Sequence, residues 1–207
     1  LEDRGVLNET LVIVTSDHGE QLGQHYDVWG HDGLHDADVH IPSIMRYPKK
    51  LPKGVKVKGF CQQIDLLPTI LDLIGYETSI LEIDGKSVMP LFKGEPIRER
   101  IFMEHSNAQR AIGTVEWRLL DDEWTNRPHR ELELYNVKDD PVEVINLAQT
   151  KEEKAGELRD TLRAWVKANL KEGEPDPAIY EDETSLAKKA FEYRQKVKQL
   201  LQSLGPR

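Results

Sequence analysis

The first clear signal along the chain is Leu11-Val12-Ile13-Val14-Thr15, a run of apolar and β-favouring residues without alternation that stops at Ser16-Asp17-His18-Gly19-Glu20. Such a run predicts a strand buried on both faces, as in the parallel sheet of an α/β protein. Ile41 to Tyr47 predicts a second strand, with Pro42 near its start, where a missing N–H is tolerated. Ile64 to Ile74 predicts a largely buried helix, with Asp65 as N-cap and Gly75 as its stop. Pro68 falls in its first turn, where the lost N–H costs least. The preceding Lys49 to Lys58 reads as a solvated basic connection, and Met89 to Phe92 as a short turn.

From Arg98 onward the texture changes. Ile101 to Glu104, Ala111 to Leu120 and Glu131 to Tyr135 are short strand candidates of a small antiparallel sheet. Thr150-Lys151-Glu152-Glu153 has the pattern of a capping box, and Leu158, Leu162, Trp165, Val166 and Leu170 then share one helical face. Gly173 to Pro177 breaks that helix. Leu186, Ala190, Tyr193, Val197, Leu201 and Leu204 form the face of a last helix, expected to pack on the chain's own sheet rather than on a partner. The predicted division is residues 1–97 as the C-terminal part of an α/β domain and 98–207 as a smaller C-terminal subdomain of short antiparallel strands and two helices. Leu1-Glu2-Asp3-Arg4-Gly5 reads as the last turn of a helix, so the chain is expected to continue a longer one.

The 207 residues carry a formal net charge of −9, which disfavours nucleic acid as a partner. No apolar run approaches the length of a membrane span, so no membrane partner is expected. Cys61 is the lone cysteine, which excludes an intrachain disulfide and slightly favours a reducing, cytoplasmic setting without fixing the compartment. Nothing basic surrounds it, and it reads as a small buried residue rather than a nucleophile. A G-x-S-x-G elbow is absent.

The chemistry is concentrated after the first strand. Of seven histidines, five lie between His18 and His40: His18, His25, His31, His35 and His40, interleaved with Asp17, Asp27, Asp32, Asp36 and Asp38. The carboxyl edge of an α/β sheet is where ligands bind. Asp17 offers a hard oxygen and His18 an imidazole nitrogen to one cation. A protonated histidine can also bind an oxyanion or protonate a leaving group near neutral pH. His31, between Gly30 and Gly33, lies in the most open part of the loop, His25 and His35 are further candidates, and His40 beside Ile41 reads as structural.

Thr15-Ser16-Asp17-His18-Gly19-Glu20 resembles the second metal-binding segment of the sulfatases, in the alkaline phosphatase superfamily. Three further segments match in order: Trp29-Gly30-His31 with Pro42 eleven residues on, Gln63 to Leu71, and Glu133 to Val137 with Asp140-Pro141 and Asn146-Leu147-Ala148. The resemblance implies the C-terminal part of an alkaline phosphatase-like mixed sheet flanked by helices, followed by a small antiparallel sheet with C-terminal helices. It implies a hydrolase of small-molecule or glycan sulfate esters that uses a divalent cation, calcium in most members, and an upstream formylglycine made from cysteine or serine. Asp17 and His18 fall on the second pair of cation ligands. His31 falls where many members carry a lysine that contacts the sulfate or leaving oxygen, so it is the catalytic candidate, with His25 and His35 as substrate-binding candidates. His18 stands where asparagine is common, and imidazole suits manganese or zinc better than calcium. The Cys- or Ser-x-Pro-x-Arg nucleophile segment is absent from these residues, as is the first acidic ligand pair. The chain alone is therefore expected to be inactive and to need the remainder of its catalytic domain. A metal-dependent phosphodiester or phosphonate-ester hydrolase of the same superfamily is the alternative, and a noncatalytic interaction module is a third.

Overall fold

The computed structural model describes residues 1–25, 29–31, 33–76, 82–105, 109–122 and 132–170. The expected break at Gly173 to Pro177 and the last helical face, Leu186 to Leu204, lie outside them. β1 (Val12–Thr15) pairs antiparallel with β4 (Ser43–Arg46), Val12 opposite Arg46 and Thr15 opposite Ser43. This departs from the parallel, doubly buried strand expected, for Val14 and Ile44 are 53% and 62% exposed. An apolar run encodes burial on two faces, but neither the direction of its neighbour nor the presence of a cover.

Between these strands lie a ribbon of β2 (Gln21–Leu22) and β3 (Trp29–Gly30) and the single turn α1 (Asp36–Val39). α2 (Leu66–Ile74) ends where predicted. Gly75 adopts φ 77°, its N–H donates to the Asp72 carbonyl at 3.1 Å, and the Tyr76 N–H donates to Leu71 at 2.9 Å. This pair of bonds closes a Schellman motif, and the left-handed φ is why glycine stands there. Its other two predicted features differ. Leu67 and Ile74 are more than half exposed, leaving Pro68, Thr69 and Leu73 as the buried positions. Asp65 does not cap α2 with its side chain. It sits at the end of a preceding 3₁₀ turn, Gln63–Asp65, where its buried carboxylate accepts the N–H groups of Gln62 and Lys86 and both guanidinium arms of Arg98. Burial pushes that carboxyl up, but Arg98 and the two N–H groups outweigh it and hold it below the usual range.

β5 (Arg100–Glu104), β6 (Arg110–Thr114), β7 (Trp117–Asp121) and β8 (Glu133–Asn136) form an antiparallel meander in chain order. The stretch read as one strand, Ala111 to Leu120, is a hairpin that turns at Val115-Glu116, with Ile112 opposite Leu119. Both faces of this sheet are covered. Ile112, Leu119 and Leu134 meet Ala155, Leu158 and Leu162 of α3 (Glu152–Asn169). On the other face, Ala111, Leu120 and Tyr135 meet Leu34, just before α1. The predicted face of α3 holds, and Trp165 stacks on Phe102 with ring centroids 4.8 Å apart. The predicted capping box does not form: Thr150 Oγ1 donates back to the Leu147 carbonyl, and Lys151 occupies the N-cap position. Cys61 is exposed, not buried. No helix among the described residues is long and apolar enough to cross a membrane.

Candidate active site

β1 ends in a polar turn that four hydrogen bonds hold in place. The Ser16 hydroxyl donates to the His18 carbonyl at 2.7 Å. Gln63, at the start of the turn leading into α2, donates its Nε2–H to the carbonyls of Ser16 (3.0 Å) and Asp17 (2.8 Å). The Gly19 N–H donates to the Asp38 carbonyl at 2.7 Å, and a Cβ at Gly19 would lie 2.0 Å from the Ala37 carbonyl oxygen. Only glycine allows the turn to lie flat against α1.

The side chains this turn presents are exposed. Asp17 faces solvent, and its own backbone N–H, together with that of His18, holds its carboxyl below the usual range. It is therefore a carboxylate throughout the neutral range and ready to ligate a cation. His18 Nδ1 lies 2.7 Å from the Gly19 carbonyl, which places the proton on Nδ1 and frees the Nε2 lone pair, 3.8 Å from Asp17 Oδ2. The His31 ring stacks on His18 with centroids 3.7 Å apart, and its Nδ1 lies 3.2 Å from Glu20 Oε2. His18, Glu20 and His31 each offer one ligand atom within 4.8 Å of the others. Carboxylate oxygens and imidazole nitrogens together are a donor set that fits a divalent cation.

The remaining sequence candidates lie elsewhere. His25 and His35 are 8% and 1% exposed and stack on each other with centroids 3.9 Å apart. His35 Nε2 is 2.9 Å from Glu133 Oε2, which also accepts the Tyr135 hydroxyl at 2.6 Å. Burial, and then the charge of His35, lower the pKa of His25. The structure places both rings between the loop and the four-stranded sheet rather than on an open surface. A buried ring beside a buried carboxylate is a joint between elements, and their partners lie too far along the chain for spacing to reveal. His40 pairs with Asp36 on the surface, in keeping with a structural role. Asp27 and Asp32 lie outside the described residues.

Sequence reasoning missed Glu20, Gln63, Arg118, Glu133 and Glu143. Glu20 lies inside the strand-end motif, so its proximity was available as a signal, whereas the other four act across the fold. A surface depression of about 790 Å³ beside α2, against Pro68, Asp72, Tyr76 and Lys86, contains none of the site residues.

A family model described as Sulfatase matches residues 1–76. An N-acetylglucosamine-6-O-sulfatase of Bacteroides thetaiotaomicron is 30% identical over 91% of this chain and 35% of its own length. The chain is similar to the sulfatases. The sulfatase-like chain is also 39% identical, over 46% of its residues and 19% of the relative, to a multifunctional alkaline phosphatase superfamily protein, PehA, of Trinickia caryophylli. Among solved structures it superposes with a TM-score of 0.68 and 27% identity on BT4656, solved in complex with its substrate D-glucosamine-2-N,6-O-disulfate, covering 85% of this chain and 37% of that one. The chain thus spans between a fifth and about a third of these relatives. Its mixed α/β fold is that of the sulfatase-like neighbours, and their family generally uses a divalent metal.

Proposed function

We propose that the full-length protein containing this chain is a sulfuric ester hydrolase. The observation that carries the reading is the exposed cluster of His18, Glu20 and His31, with the Asp17 carboxylate beside His18, in a sulfatase-like chain. Asp17 and His18 would hold a divalent cation, calcium by family habit and manganese or zinc by the preference of imidazole. Such a cation stabilises negative charge on the ester oxygens. His31, held by Glu20, contacts the sulfate when protonated and supplies a proton to the departing oxygen. The formylglycine nucleophile belongs to residues outside these 207, as does the rest of the catalytic domain. In this reading residues 1–97 complete that domain and 98–207 form the C-terminal subdomain. The exposed apolar side chains of Val14, Ile44, Leu67 and Ile74 then meet the remainder of the fold.

The likeness to relatives that act on N-acetylglucosamine or glucosamine sulfates makes a 6-sulfated amino sugar the first substrate to test. His18 favours one second reading, a phosphodiester or phosphonate-ester hydrolase of the same superfamily. The test is turnover by the full-length protein of matched aryl sulfate and aryl phosphodiester pairs, followed by the sulfated sugar. A higher kcat/KM for sulfate supports the first reading. A higher value for the phosphodiester replaces it with the second.

A further inference from the structure

We propose that Glu143, from the turn after β8, is a positioning residue for the His18–His31 loop. The proposal rests on the hydrolase reading above. Glu143 is 1% exposed, and its φ of 56° is the one left-handed value at a non-glycine residue among those described. Such a conformation costs about 1–3 kcal/mol and persists where the surroundings enforce it. Its neighbours Val142 and Val144 are 61% and 70% exposed. The turn therefore bends inward to deliver one side chain, a carboxylate. Two bonds to Asp140 brace it: the Glu143 N–H donates to the Asp140 carbonyl at 3.1 Å, and the Ile145 N–H to the Asp140 carboxylate at 2.8 Å.

The delivered carboxylate meets the loop at its anchor. Glu143 Oε2 accepts the N–H of Asp36, the first residue of α1, at 2.8 Å and lies 4.0 Å from His25 Nε2. Oε1 lies 3.2 Å from Arg118 Nη1, and the other arm of Arg118 donates to Asp36 Oδ1 at 2.9 Å. Glu143 and Arg118 thus grip Asp36 from two sides. Two residues on, the Asp38 carbonyl accepts the Gly19 N–H, and Gly19 separates His18 from Glu20. Five named residues thus link a strained turn in the C-terminal half to the candidate ligands. Burial raises the Glu143 carboxyl above the usual range, and Arg118 opposes that rise.

The test uses the full-length protein, assayed with a sulfate ester well below each variant's unfolding midpoint and normalised to folded enzyme. Glu143→Ala removes the carboxylate's contacts with Asp36, His25 and Arg118. Its kcat is expected to fall about tenfold or more with KM within threefold, since a 1 Å misplacement alone can cost roughly 100-fold. Glu143→Gln keeps an acceptor for the Asp36 N–H but not the charge facing Arg118. It is expected to lower kcat about threefold, and so to rescue part of the loss. A purely structural role would lower the midpoint of both variants and leave kcat per folded enzyme unchanged, and that result overturns the proposal. Should Glu143→Ala not fold, Glu143→Gln decides: a kcat within about 1.5-fold of the parent overturns it. A parent protein inactive on sulfate and phosphodiester substrates instead sinks the hydrolase reading.

Discussion

Replacing Gly19 with alanine tests how tightly the site turn is built. The added Cβ would lie 2.0 Å from the Ala37 carbonyl oxygen, 3.0 Å from its carbon and 3.3 Å from the Asp38 carbonyl carbon. Non-bonded atoms are comfortable at about 3.5–4.0 Å, so the turn must lift from α1 by more than about 1 Å. All three obstacles are backbone, and no rotamer change relieves them. Overpacking of this kind costs about 1–3 kcal/mol. The lift also breaks the 2.7 Å bond from the Gly19 N–H to the Asp38 carbonyl, a loss of about 1 kcal/mol. The smaller conformational freedom of alanine in the unfolded chain returns about 0.4–1 kcal/mol. The net expectation is a destabilisation of about 1–3.5 kcal/mol, read as a lower urea midpoint of the full-length protein at unchanged slope. Because His18 and Glu20 flank the lifted residue, kcat is expected to fall about 100-fold under conditions where the variant stays folded. Unchanged stability and turnover in Gly19→Ala would refute the contact between the turn and α1.

Three further outcomes follow from the same geometry. Leu162→Ala, which empties a fully buried position between α3 and the sheet, is expected to cost about 2–5 kcal/mol yet leave kcat of the folded enzyme unchanged; urea unfolding and turnover check both halves. His25 has a folded-state pKa below its unfolded value of 6.5, so its contribution to stability is present above that value and is lost as pH falls through the folded pKa. Melting temperature should accordingly drop on acidification below about pH 6.5, less steeply in His25→Gln, and parallel pH curves for the two proteins would contradict this. His31→Gln is expected to lower kcat at least tenfold, in line with loss of a general acid, with bound metal retained; loss of metal by elemental analysis would make His31 a ligand instead.

Much of the fold was legible where a local period or a stop residue carried it. Gly75 stops α2 because the Schellman turn needs a left-handed residue, and Leu158, Leu162 and Val166 mark the buried face of α3. What failed to show was non-local. The direction of β1 is set by β4 across the 27 intervening residues, not by its own apolar run. Asp65 has the look of a cap, but Arg98, 33 residues on, claims its carboxylate. Thr150 has the look of a capping-box residue, yet its hydroxyl turns back to Leu147. At the site, Asp17, His18 and His31 stood out because they follow a strand end in one short stretch. His25 and His35 drew the same reading from their residue type. Their burial depends on Glu133 and Glu143, about a hundred residues away, and only the folded sheet brings those carboxylates to them.

The most direct test of the central claim is to measure metal content and sulfate-ester turnover together in the full-length protein and in Asp17→Ala. The account predicts that chelation abolishes turnover in the parent, that a divalent cation restores it, and that Asp17→Ala loses both bound metal and activity. Full metal occupancy and parent-like turnover in Asp17→Ala would contradict it.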